Sequence, residues 1–189
     1  MKGIDISAWQ ENIDWQAVKD AGIEFVIIKL GQNYRLDSMF IDHVNNAVAY
    51  GLRYGVYLYS KATTVEDAQA EADWVHKQIK QYLDGKNPEM GIWFDMEDPS
   101  IEASGADITS LCAAFVNRLW FYGYNYVGVY SSYNWLTNGN IRTDELNVAY
   151  WCAQYYRRCD FEHPNLKIWQ FTESLEIAGM NFDGNIYYD

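Results

Sequence analysis

Over its first 131 residues the chain repeats one pattern, a short apolar run followed by a helical segment that ends at a turn signal. GIDIS (3–7) predicts a first strand, and residues 14–21 predict a short helix closed by Gly22, a residue suited to a helix C-terminus. The apolar FVIIKL (25–30) predicts a second strand, and an amphipathic helix over 37–50 stops at Gly51. GVYLYS (55–60) predicts the third strand. Thr64 opens a long helix reaching about Tyr82, with Asp67 three residues on as a capping acid. GIWFDME (91–97) predicts a fourth strand, 107–122 a helix ended by Gly123, and YVGVYS (126–131) a fifth strand. The pattern then changes. VAYWCAQ (148–154), LKIWQF (166–171) and NFDGNIYY (181–188) predict three short strands with little room for helices between them.

Apolar strands alternating with helices predict a parallel sheet covered by helices. Eight strands predict a closed barrel of the (β/α)8 kind with its last three helices shortened or missing. An open doubly wound sheet is the alternative, but no Gly-rich phosphate loop follows the first strand. With 189 residues and no linker, repeat or low-complexity stretch, one α/β domain over 1–189 is expected, with no room for a second module.

The most informative local feature is GIWFDMED (91–98). It is an apolar run that ends in acids at alternate positions, Asp95 and Glu97. Side chains at i and i+2 of a strand share a face, roughly 6 to 7 Å apart. Like charges at that range resist joint ionisation, so one of the two should have a raised pKa. That arrangement suits general acid/base work at a glycosidic bond. Asp98 points to the other face and is expected only to shape the loop. Asp5 in the first strand and Asp183 in the last fall beside each other in a closed barrel, across the mouth from strand four. Asp183 also precedes Gly184, a pair that suits a hairpin turn.

Composition narrows the function. The 26 acids against 14 bases give a net charge of −12, a field that opposes nucleic acid and anionic membranes as partners. No run of 18 apolar residues is present to span a bilayer. Aromatic residues make up 17% of the chain; many belong to the core, and so many rings with a polar edge also suit a groove that stacks on sugars. Three cysteines give no disulfide framework, although Cys152 and Cys159 are close in sequence; Cys112 reads as a small buried hydrophobe. The three histidines have no ligand spacing, so a His-based metal site is not expected. The N-terminus MKGIDISAWQ lacks the apolar stretch of a secretory leader. The chain is therefore read as acting from the cytoplasm or as having lost a leader.

At these residues the chain resembles glycoside hydrolase family 25, the Chalaropsis-type lysozymes, which include phage endolysins and bacterial autolysins. The resemblance runs from GIDISAWQENIDWQAVKDAGIEFVIIKLG through YGVYLYSKATTVEDAQAEADWV, GIWFDMED and VGVYSS to IWQFTES and FDGNIYY. It implies an irregular TIM-like (β/α)5(β)3 barrel. It implies hydrolysis of the β-1,4 bond between N-acetylmuramic acid and N-acetylglucosamine in bacterial peptidoglycan, by a monomer without cofactor or metal, acting at the cell wall. Carried over by motif, Glu97 is the general acid/base and Asp95 its partner, steering the substrate's 2-acetamido group. Asp5 and Asp183 match the other two active-site acids. Tyr57, Tyr59, Tyr130, Trp151 and Trp169 are the implied sugar-facing aromatics, with Gln170 as a hydrogen-bonding partner. Two departures stand out. Residues 31–35, GQNYR, differ from the Gly-Tyr-Gly-like loop of many relatives, and His43 replaces a frequent Asn.

The expected chemistry has Glu97 protonated when substrate arrives and Asp95 charged. Substrate-assisted retention through the acetamido oxygen is favoured over water attack with Asp5 or Asp183 as base, and over direct attack by Asp95. Three other readings compete. One is a catalytically weak peptidoglycan-binding barrel, which the presence of all four acids opposes. Another is a metal-dependent hydrolase. The third is a chitinase, whose additional Asp two residues before the Asp-x-Glu pair is here Trp93.

Overall fold

The structure is a computed structural model that describes residues 1–188. In chain order its elements are β1 (Lys2–Ile6), α1 (Trp15–Asp20), β2 (Phe25–Gln32), β3 (Arg35–Leu36), α2 (Phe40–Ala49), β4 (Arg53–Tyr59), α3 (Val65–Tyr82) and β5 (Ile92–Asp95). They continue as α4 (Pro99–Ala103), α5 (Ile108–Phe121), β6 (Val127–Ser132), α6 (Tyr133–Thr137), a single 3-10 turn, β7 (Ala149–Ala153), β8 (Leu166–Ile177) and β9 (Met180–Tyr187). Strands β1, β2, β4, β5, β6, β7, β8 and β9 follow one another round a sheet, and β1 pairs with β2 to close it into an eight-stranded barrel. The two-residue β3 is an antiparallel flap on the end of β2.

The expected (β/α)5(β)3 architecture is present, with three differences of detail. First, β9 runs antiparallel to both β1 and β8. A parallel last strand would need a crossover connection of a dozen residues or more, and only Ala178 and Gly179 separate β8 from β9. Both have positive φ, 51° and 80°, as a tight two-residue hairpin of the right twist requires. The hairpin turn is therefore here and not at Asp183-Gly184. Second, β8 runs six residues beyond the predicted LKIWQF, because antiparallel pairing with β9 carries both strands past the barrel. Third, β5 stops at Asp95, so Glu97 lies beyond the strand.

Strand parity separates two cores. Outward residues such as Ile28, Phe94 and Val129 pack against helices, with Phe94 stacked on Phe115 of α5 at 4.0 Å. Inward residues Phe25, Ile27, Trp93, Tyr130, Trp151 and Ile168 fill the barrel with Met90. Trp93 and Trp151 meet edge to face at 5.8 Å. The Trp93 indole donates to the Met90 carbonyl at 2.8 Å, so this buried ring leaves no polar atom unpaired. Each such side chain contributes roughly 1.5–3 kcal/mol by leaving water. Together they floor the barrel and keep water to its upper end. Cys112, Cys152 and Cys159 are free thiols. Among the described residues no helix is long and apolar enough to cross a membrane.

The floor depends on strands without side chains where the rings lie. A Cβ on Gly128 would sit 2.5 Å from the Trp93 ring and 2.6 Å from the Ala149 carbonyl oxygen. Neither neighbour can retreat. Gly128→Ala should therefore cost about 1–3 kcal/mol by overpacking, a fall in Tm of roughly 2–4 °C per kcal/mol. Thermal melts followed by near-UV circular dichroism check this, and an unchanged Tm would refute the packing account.

Candidate active site

A cavity of about 200 Å3 opens at the C-terminal ends of the parallel strands, above the aromatic floor. Chemistry collects at this end of such barrels because the connecting loops and strand ends are free to vary there. Asp5, Asp95, Glu97 and Asp183 all line it. Asp5 comes from the fourth residue of β1 and Asp95 from the last residue of β5. Asp183 reaches the mouth from the first half of β9, since an antiparallel strand presents its N-terminal half at the top. It stands directly opposite Asp5 in the β1–β9 register.

Glu97 shares the cavity with Asp95 although the strand has ended. Met96 N still donates to the Tyr130 carbonyl at 2.9 Å, which carries the strand's alternation one residue further. Met96 is thus buried toward the helices, while Asp95 and Glu97 flank it on the cavity side. Asp95 is sealed in, and Glu97 stands at the open rim.

The hydrogen bonds fix most of these groups. Gln170 Nε2 donates to Asp5 Oδ2 at 2.9 Å and approaches Asp183 Oδ2 at 3.5 Å. Its Oε1 then accepts from the hydroxyls of Tyr130 at 3.0 Å and Tyr155 at 3.1 Å. Asn185, two residues after Asp183 and on the same face, donates to Asp5 Oδ2 at 2.7 Å and accepts from the Trp151 indole at 2.9 Å. Asp95 Oδ1, by contrast, is buried with no hydrogen-bond partner.

All four acids are pushed above the usual carboxylate range, and burial is the largest cause for each. For Asp5 the charge of Asp183 adds to burial, against the pull of Asn185 and Gln170. For Asp95 the charge of Glu97 adds, against Lys29. Glu97 is raised less, because the Tyr130 hydroxyl pulls it back. Asp183 is raised too, with the contact to Asp5 opposing. Asp95 was expected to remain charged, and the structure instead pushes it well up, since its strand-end position removes both water and donors. Buried like charges of this kind share protons rather than ionise together.

Around the acids the cavity brings together Tyr57, Tyr59, Tyr130, Trp151 and Gln170. Trp151 lines the cavity but is nearly sealed. The structure does not bring Trp169 there. Ile168 and Gln170 point inward on β8, so the residue between them points out, and the Trp169 indole donates to the Gln154 carbonyl at 2.7 Å. Asp98 does more than shape a loop. It caps α4 and accepts from the Tyr59 hydroxyl at 2.9 Å while paired to Lys61. Burial opposes its charge, but Lys61, Ser100 and Tyr59 outweigh burial and hold it below the usual range. Three wall residues were not anticipated: Ser7, Trp9 and Lys29. Lys29 had a signal, a lone cation inside an apolar strand. Trp9 is 90% exposed, a large ring left in water at the edge of the cavity. Among the described residues no three His, Cys, Asp or Glu side chains gather as a metal cage.

Comparison with known proteins gives a consistent picture. A family profile described as "Glycosyl hydrolases family 25" matches residues 4–180. The autolytic lysozyme of Clostridium acetobutylicum is 27% identical over 96% of this chain and 53% of its own length. The modular autolysin LytC of Streptococcus pneumoniae, also solved with a synthetic peptidoglycan ligand, superimposes with a TM-score of 0.85 at 25% identity, over 99% of this chain and 46% of that one. The catalytic domain of endolysin ply40 from bacteriophage P40 of Listeria monocytogenes shares the fold at a TM-score of 0.84 and 20% identity, covering 100% of this chain and 93% of that one. The chain spans about half the length of the first two.

The raised acids have a thermodynamic consequence. A carboxyl whose folded pKa exceeds its unfolded value makes the folded chain bind more protons than the unfolded one. Stability from these groups is fullest below the ordinary carboxylate range near pH 4 and falls as pH rises through the raised values. Asp95→Asn should therefore stabilise the fold at pH 8, by on the order of 1.4 kcal/mol for each pKa unit relieved, seen as a higher Tm and a flatter decline of Tm as pH rises above the ordinary carboxylate range. A lower Tm for Asp95→Asn at pH 8 would show that Asp95 is not strained by its burial.

Proposed function

Because the chain belongs to glycosyl hydrolases family 25, we propose that it hydrolyses peptidoglycan at the β-1,4 bond between N-acetylmuramic acid and N-acetylglucosamine, with Glu97 as general acid/base and Asp95 assisting the 2-acetamido group. One observation carries the division of roles. Asp95 is sealed with an unpartnered carboxyl oxygen, while its neighbour Glu97 stands at the rim with its pKa also raised. A buried acceptor without a donor suits a substrate N–H, and a neutral carboxyl at the rim suits a leaving oxygen.

The proton follows from the same pair. In the resting site Asp95 and Glu97 share protons. An acetamido N–H docking on Asp95 stabilises its ionised form and leaves a proton on Glu97. Glu97 then protonates the glycosidic oxygen as that bond breaks, and the acetamido carbonyl oxygen attacks the anomeric carbon. The Tyr130 hydroxyl, hydrogen-bonded to Gln170 in the resting site, can turn its proton to Glu97 once that carboxyl is ionised. Water opens the resulting ring in the second step and yields its proton to Glu97, which restores the acid. Asp5 and Asp183, held by Gln170 and Asn185, complete the polar wall. By this account the enzyme acts at the bacterial cell wall.

Glu97→Gln keeps the shape of the side chain and removes its proton. It should lose at least about 100-fold in turnover on purified peptidoglycan, the scale of a lost acid/base. Mass spectrometry after borohydride reduction should find reduced muramic acid ends from the parent chain. Activity of the parent should also fall as pH climbs through the raised Glu97 pKa. Reduced glucosamine ends would mean another bond is cut. Wall binding without new ends from either protein would leave a binding module.

A further inference from the structure

The β2–β3 hairpin holds the stretch 31–35 that departs from the family pattern, and the acid cavity makes no use of it. Beside the cavity, and sharing Trp9 and Lys29 with it, lies a second groove of about 380 Å3 that Gln32 and Arg35 also line. We propose that this groove is a carboxylate-binding subsite that selects glycan whose muramyl sugar carries an anionic arm on its 3-O-lactyl group. The proposal rests on the muramidase reading above and names the part of the substrate that reading leaves unassigned.

Charge carries the argument. On a chain of net charge −12, this groove presents two cations without a carboxylate partner. Lys29 Nζ makes one hydrogen bond, to Gln32 Oε1 at 2.6 Å, and keeps two donors free. Arg35 is exposed, and among the described residues its guanidinium forms no ion pair. The groove's own acid, Asp37, is already engaged, since its oxygens accept from Ala8 N at 3.2 Å and Met39 N at 3.0 Å. A planar guanidinium with free donors is suited to a carboxylate.

The hairpin fixes Arg35 at the rim. Gln32 pairs with Arg35 across a two-residue turn in which Asn33 and Tyr34 both have positive φ, 49° and 58°. That conformation is uncommon for a bulky residue, and Tyr34 is held by an edge-to-face contact with Trp74 of α3 at 6.4 Å. Gly31 allows the closure, because a Cβ there would lie 2.1 Å from the Arg35 carbonyl oxygen. The guanidinium therefore projects from a tethered hairpin beside a groove that shares Trp9 and Lys29 with the acid cavity.

In peptidoglycan a carboxylate at this place has two sources, the stem peptide or the lactyl acid itself once the peptide is removed. The test uses the Glu97→Gln chain with and without Arg35→Gln. Calorimetry measures binding to three glycans of equal length: peptide-bearing glycan, the same glycan stripped of peptide by an amidase, and a chito-oligosaccharide with no lactyl arm. The carboxylate-bearing ligands should bind about 10-fold tighter than the chito-oligosaccharide, the scale of one charge-assisted hydrogen bond. Arg35→Gln should erase that difference without altering chito-oligosaccharide affinity. Whichever of the two carboxylate ligands carries the preference identifies its source. No preference, or one that survives Arg35→Gln, overturns the subsite while parent cleavage of peptidoglycan leaves the muramidase reading standing. Binding of none of the three, with no cleavage by the parent, overturns both.

Discussion

Four carboxyl groups in one half-dry barrel mouth are the constraint to which the rest of the site answers. They cannot all ionise there, and Lys29 is the one cation on the cavity wall among the described residues. The answer is a chain of oriented groups. Asp5 accepts from Gln170 Nε2, which fixes the amide's direction and turns its oxygen toward Tyr130 and Tyr155. Tyr130 hydrogen-bonds to Gln170 and also pulls the Glu97 pKa back down. Asn185 ties Asp5 to the floor through the Trp151 indole. The direction of the Tyr130 hydroxyl is thus set from the far side of the barrel, through an amide that has only one satisfactory way to face.

The closing strand creates this constraint. Antiparallel pairing puts Asp183 directly across from Asp5, and like charges in that relation destabilise a sheet. A structural sheet has no use for such a pair, whereas a site that stores protons does. The aromatic floor intensifies the effect by excluding water from below, so burial is the largest cause of every raised acid. Stability and chemistry pull in opposite directions here. The packing that makes the barrel firm is also what makes its acids uncomfortable.

Much of this was legible in the chain. Apolar runs and closing glycines gave the eight strands, and period-two alternation put Tyr57 with Tyr59 and Trp93 with Asp95. What failed to show depends on partners distant in sequence. The direction of β9 is decided by a two-residue turn, and the extra length of β8 by its pairing. Glu97 keeps its face only because Met96 still bonds to β6. Trp169 and Gln170 are neighbours on one strand, so both cannot face the same cavity, a conflict already visible in the parity of the sequence. Asp98 gave no hint of holding Tyr59, since Tyr59 at the end of β4 and Lys61 in the loop after it are distant in sequence.

The overall charge and the local charge of this molecule point to different distances. At long range a chain of net charge −12 is repelled by an anionic wall. That repulsion is screened beyond about 8 Å at physiological salt. Inside that range the nearest groups decide, and at the rim these include Lys29 and Arg35. Lys29 sits in both compartments, so its charge is divided. Burial lowers its pKa, while Asp37, Asp95 and Glu97 hold the proton on. An anionic group arriving in the groove would strengthen that hold and draw the lysine's field away from the acids. Glu97 would then keep its proton more firmly when a charged substrate is seated than when the site is empty. Under the proposed function, recognition in the groove and protonation at the scissile bond would be coupled through one ammonium group.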